Sequence, residues 1–146
     1  MEEKQVELRN LTNEIEQLQN QANVHNQNLE LLTLSVQEMR QTVETLEELK
    51  STEPGREILL PLGTGSFIKS TLKKNDRVII GVGAGFSIEK EVDEAKAIVD
   101  KRIQETDTAL QQTRERLAEI SGRLEDITPR WQNLYRELSE GQAGTI

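Results

Sequence analysis

Gly81-Val82-Gly83-Ala84-Gly85 has the make-up of a loop that could cradle a phosphate, since glycines allow several backbone N–H groups to converge on one anion. The dinucleotide pattern GxGxxG nevertheless fails in every register. Phe86, Ile68 or Ile88 stands where the last glycine is needed, and no strand-helix-strand unit surrounds the stretch. A hairpin turn accounts for it better. His25 is the only histidine, and no carboxylate lies at a spacing that would make a metal or acid–base site with it. It fits a tolerated residue on a helix seam. The pairs Glu47-Glu48 and Asp93-Glu94 could do acid–base chemistry only if burial raised their pKa values, and they lie in heavily charged helical stretches. With no cysteine there is no thiolate nucleophile, no Cys-based zinc site and no disulfide framework. No set of residues combines nucleophile, base and stabiliser. The chain reads as a binding protein without cofactor or metal, not as an enzyme.

The elements that carry these residues are arranged symmetrically about a glycine-punctuated centre. Between residues 6 and 50 the apolar positions run Leu8, Leu11, Ile15, Leu18, Ala22, His25, Leu29, Leu32, Val36, Met39, Val43 and Leu46. This spacing of three and four residues is a coiled-coil seam, which needs a partner helix. Ser51-Thr52-Glu53-Pro54-Gly55 should stop the helix. Residues 91–139 carry the matching seam, from Val92, Ala95, Val99 and Ile103 through Leu124 and Ile127 to Trp131, Leu134 and Leu138. Four-residue steps at Ala95, Val99 and Ile103 predict a stutter. Pro129 interrupts neither the spacing nor, on this reading, the helix, and a kink is predicted there. The two helices should pair antiparallel, with Leu46 facing Val99 and with Leu8 and Leu11 opposite Leu134 and Trp131. Weak seam residues at Ala22, His25, Thr106 and Thr113 predict a looser middle.

The centre, residues 57–89, reads as four strands over 57–62, 66–72, 77–82 and 84–89. Gly63-Thr64-Gly65 and Gly83-Ala84-Gly85 supply turns, and Lys73-Lys74-Asn75-Asp76 a polar link. Two hairpins result. Four short strands cannot hide their own edges, so the edges should be paired by other copies or other chains. Phe67, Ile68, Val78, Ile80, Val82, Phe86 and Ile88 are the candidate oligomerisation residues. The fold class expected is therefore α+β, mostly α, as one domain over 1–146: an antiparallel two-helix coiled coil joined by two β-hairpins, with a flexible tail at 140–146.

Composition bounds what such a chain can bind. At 34% hydrophobic, 3% aromatic and 30% charged, 146 residues cannot fill a large globular core. A net charge of −8 without a clustered basic face argues against nucleic acid. No apolar leader and no apolar stretch of spanning length is present, so neither export nor a membrane is expected, and a reducing cytoplasm fits. Trp131 and Tyr135, one helical turn apart, admit two compatible readings. Trp131 can fill the seam with Tyr135 flanking it, or both can join Val6, Leu8, Leu11, Leu134 and Leu138 in a partly exposed apolar patch where the helix ends fray.

Leu60-Pro61-Leu62-Gly63-Thr64-Gly65-Ser66-Phe67-Ile68-Lys69, followed by Val82-Gly83-Ala84-Gly85-Phe86-Ser87-Ile88, resembles the α class of prefoldin subunits. The order helix, two hairpins, helix sets that class apart from the β class, which has one hairpin. The resemblance implies a hexamer of two α-type and four β-type subunits joined through intersubunit β-barrels. It also implies ATP-independent capture of non-native polypeptides at the coiled-coil tips and their delivery to a group II chaperonin. The short chain looks archaeal. A rival from another class is a static coiled-coil scaffold whose seam binds one dedicated folded partner; a lack of affinity for denatured proteins would favour it.

Overall fold

The computed structural model describes residues 1–73 and 76–143. Lys74 and Asn75 of the expected polar link, and residues 144–146 of the expected tail, lie outside the described residues. Helix α1 spans Glu2–Ser51, strands β1 to β4 span Glu57–Gly63, Ser66–Thr71, Arg77–Gly83 and Phe86–Glu91, and helix α2 spans Val92–Ala143. The fold class is as expected, mostly helical with two antiparallel hairpins. Most element ends shift by one or two residues, and three differences are larger or structural. Helix α1 begins four residues before the expected start at residue 6, α2 continues to Ala143 through part of the expected tail, and β4 starts at Phe86 rather than Ala84 because Ala84 and Gly85 form the turn itself. Helix α2 runs through Pro129 without ending. Ile127 and Leu134 are buried on either side, which offsets the backbone bond that proline removes.

Contacts group the chain into two compact units, residues 1–33 with 108–146 and residues 34–107. In the first, Lys4 pairs with Glu137, Glu7 with Arg130 and Glu14 with Arg123. Numbers rise on α1 as they fall on α2, so the segments are antiparallel. Leu110, Ile120, Ile127, Leu134 and Leu138 are buried along α2, and the α1 seam residues Leu8, Leu11, Ile15, Leu18, Ala22, His25, Leu29 and Leu32 are half-buried. Thr12, Thr33 and Thr113 interrupt the apolar surface at little cost, because each hydroxyl donates to the carbonyl four residues back.

In the second unit Arg40 pairs with Asp107, Glu47 with Lys96 and Lys50 with Asp93, again antiparallel. Its core is Leu46, Val92, Ala95 and Val99, on which Met39, Val43, Leu49, Ile103 and the sheet residues Val78 and Ile80 pack. Strand β4 passes directly into α2: Glu91 is the last strand residue, and the Val92 amide donates to the Asp76 carbonyl. Asp93 and Glu94 then sit in the first helical turn, where their charge suits the helix dipole.

The hairpins are two copies of one design offset by twenty residues. Glu57 pairs with Thr71 and Gly63 with Ser66 across β1 and β2, as Arg77 pairs with Glu91 and Gly83 with Phe86 across β3 and β4. Each carries an irregularity just before its turn, between Pro61 and Gly63 and between Gly81 and Gly83. Each turn then holds two successive residues at positive φ: Thr64 at 47° with Gly65 at 75°, and Ala84 at 51° with Gly85 at 78°. That is the requirement of the two-residue turn whose twist matches antiparallel strands. Alanine in the left-handed region costs about 1–2 kcal/mol, so the turn is held by the strands and not by Ala84. Both sheets have only two strands, so among the described residues no further strand pairs their outer edges.

Candidate functional site

Among the described residues no group of His, Asp or Glu is arranged to hold a metal ion, no buried side-chain polar atom lacks a partner, and no helix is long and apolar enough to cross a membrane. The features that stand out are apolar surfaces, one in each unit.

The larger surface lies on the hairpins. Leu59, Leu60, Leu62, Phe67 and Ile68 are exposed on the first, and Ile79, Val82, Phe86 and Ile88 on the second, with Ile79 77% and Phe86 72% accessible. Lone exposed apolar residues are ordinary, but so many on both faces of two small hairpins mark an interaction surface. Of the residues singled out from the sequence, Phe67, Ile68, Val82, Phe86 and Ile88 are on this surface. Val78 and Ile80 are half-buried and turned onto the helical core instead. Strand alternation turns Ile79 to the other face, whereas Ile88, paired with Ile80, and Phe86 share the Val78 and Ile80 face and are left exposed because the helical core covers only part of it. Sequence reasoning passed over Leu59, Leu60 and Leu62. The run Ile58-Leu59-Leu60-Pro61-Leu62 is apolar on both faces, which is the mark of a strand covered on both sides.

The smaller surface lies where the first turns of α1 meet the last turns of α2. Leu134 and Leu138 are buried there, at 4% and 9% accessibility, and act as seam residues. Leu8, Leu11 and Trp131 are half-buried, while Val6 and Tyr135 are more than half exposed. The Trp131 indole N–H donates to Thr12 Oγ1 at 2.7 Å, which satisfies its one polar atom, and its ring stacks on Tyr135 with centroids 5.3 Å apart.

Charge flanks this surface. Arg130 donates to Glu7 at 2.6 Å, and Arg123 donates twice to Glu14 at 2.7 and 3.2 Å. These hydrogen bonds, reinforced by the cations' charge and partly opposed by desolvation, hold both carboxyls below their ordinary value of 4.5. A carboxylate whose folded pKa is depressed contributes stability above its unfolded pKa and loses it as pH falls through the folded value. Thermal unfolding of the wild-type chain should therefore drop in midpoint as pH falls below about 4.5. Replacing Glu7 and Glu14 by Gln should flatten that drop. Both groups are solvent-exposed, so the effect is modest and should shrink in high salt; an unchanged acid profile in the double variant would refute the assignment.

Paired helices, twinned hairpins with open edges and two apolar surfaces define a protein that works by contact with other polypeptides. A family model described as prefoldin subunit matches residues 18–137. The prefoldin subunit alpha of Pyrococcus horikoshii is 43% identical over 104 residues, covering 70% of each chain. That of Thermococcus onnurineus is 43% identical over 106 residues and 72% of each chain, and that of Methanopyrus kandleri 35% identical over 108 residues, 74% of this chain and 69% of the other. A chain in the cryo-EM structure of filamentous PFD from Methanocaldococcus jannaschii shares the fold, with TM-score 0.72 at 24% identity over 82% of this chain and 98% of that one. The chain belongs to the prefoldin family, a chaperone family, and its relatives are the alpha subunits.

Proposed function

We propose that this chain is the α-class subunit of an ATP-independent holdase that captures non-native polypeptides and passes them to a group II chaperonin in the cytoplasm. Two copies assemble with four β-class subunits through the hairpins, whose strands complete intersubunit β-barrels. The observation that carries the reading is the division of labour between the two apolar surfaces. Hairpin edges offer main-chain hydrogen bonds to other strands, which suits permanent assembly. The helix ends offer a few half-exposed apolar side chains, each of which binds weakly. Several such ends around one cavity gain affinity by multivalency, and weak single contacts let the client go without nucleotide.

The structure refines the choice of variants for testing capture. Leu134 and Leu138 hold the seam, so changing them would confuse binding with folding. Val6 and Tyr135 are exposed, and Val6→Ser with Tyr135→Ser should cost about 1–2 kcal/mol, mostly the lost stacking on Trp131. The double variant should assemble normally yet suppress aggregation of a chemically denatured client several-fold less well. Unchanged suppression would remove these residues from the capture surface, and a wild-type complex with no affinity for denatured proteins would favour the scaffold.

A further inference from the structure

Beside Trp131 an open groove of about 270 Å³ runs between the helices of the first unit, lined by Thr12, Ile15, Glu16, Gln19, Thr128 and Trp131. At about 30 Å³ per water, it has room for one large side chain. Its walls are mainly apolar, and the hydrogen bond from the indole to Thr12 fixes Trp131 before anything binds, which lowers the ordering cost of an occupant. Glu16 stands on its rim. Unlike Glu7 and Glu14, it forms no ion pair among the described residues. The surrounding unit carries twelve acidic against seven basic side chains, a net of −5.

We infer that this groove is a subsite for a single apolar side chain, aromatic or leucine-like, next to a lysine or arginine in an unfolded segment. The apolar group enters beside Trp131 and the basic neighbour reaches Glu16. This deepens the client-binding reading and rests on it, because it names which unfolded segments are preferred: basic-apolar ones over acidic-apolar ones. An exposed carboxylate alone adds little affinity, but aligned with a preformed apolar notch in a negative field it decides between clients.

Trp131 is the only tryptophan, so its emission reports the groove directly in the full-length chain. Short unstructured peptides without tryptophan or tyrosine serve as probes: one phenylalanine between two lysines, one phenylalanine between two glutamates, and one serine between two lysines. The first should shift Trp131 emission saturably, and the other two should bind at least about fivefold more weakly. Glu16→Gln should weaken the first peptide about two- to fivefold, and Thr128→Phe, which fills the groove, should abolish the response while far-UV circular dichroism stays unchanged. Equal binding of the lysine- and glutamate-flanked phenylalanine, or no effect of Glu16→Gln, overturns the inference. Suppression of client aggregation is measured separately on the assembled complex, where several tips act together. Suppression by the complex without any Trp131 response in the chain removes the groove and leaves the chaperone reading standing; absence of suppression by the complex removes both.

Discussion

Leu46→Ala should destabilise the chain by about 2–4 kcal/mol, the range for removing a well-packed leucine from a core whose surroundings relax incompletely. Leu46 is one of only four buried residues in the hairpin-bearing unit's core cluster, with Val92, Ala95 and Val99. Val78 and Ile80 from β3 rest on that cluster, so its loss loosens the sheet as well as the helix pair. Leu34→Ala is the control. The same atoms are removed from the same helix and unit, but Leu34 is 57% exposed, and the change should stay within about 0.5 kcal/mol. Urea unfolding followed by far-UV circular dichroism, at one fixed protein concentration because assembly shifts apparent stability, separates the two. Equal losses at both positions would mean that Leu34 is covered in solution.

The contrast between these leucines also marks how far the sequence could be read. The period of three and four identified Leu46, Val92, Val99 and Ile127 as seam residues because a coiled coil repeats one local rule along its length, and each of them is buried. The hairpins were legible for a similar reason, since turns with two positive-φ residues demand glycine at fixed places. The surfaces were less so. Val24, Leu31 and Leu34 fall off the seam and are exposed, although residue type alone would have put them inside. At the helix ends, Leu134 and Leu138 share the seam with Trp131, and only packing distinguishes those that are closed over from those left half open. In β3 the same alternation that marked Val78 and Ile80 as an apolar face could not say whether that face meets another chain or the protein's own helices.

That ambiguity supplies the second large effect. Phe67→Ser, Ile79→Thr and Phe86→Ser together should abolish assembly while leaving the isolated chain folded. All three are more than half exposed in the single chain, so their removal opens no internal cavity. If partner strands cover them, each represents about 1.5–3 kcal/mol of burial. Losing even half of the three-residue total, about 2.3–4.5 kcal/mol, weakens association by roughly 40- to 1,600-fold, at 1.4 kcal/mol for each factor of ten. Val78→Ala tests a hairpin residue that packs inward. Val78 rests on the Leu46 cluster, so its truncation should lower the unfolding midpoint of the chain and leave Phe67, Ile79 and Phe86 exposed as before. Native mass measurements on complexes formed with other prefoldin subunits read assembly, and far-UV circular dichroism reads folding. A triple variant that still assembles with wild-type stoichiometry would assign the contact to the strand edges alone, because main-chain pairing survives a change of side chain whereas burial of Phe67, Ile79 and Phe86 does not.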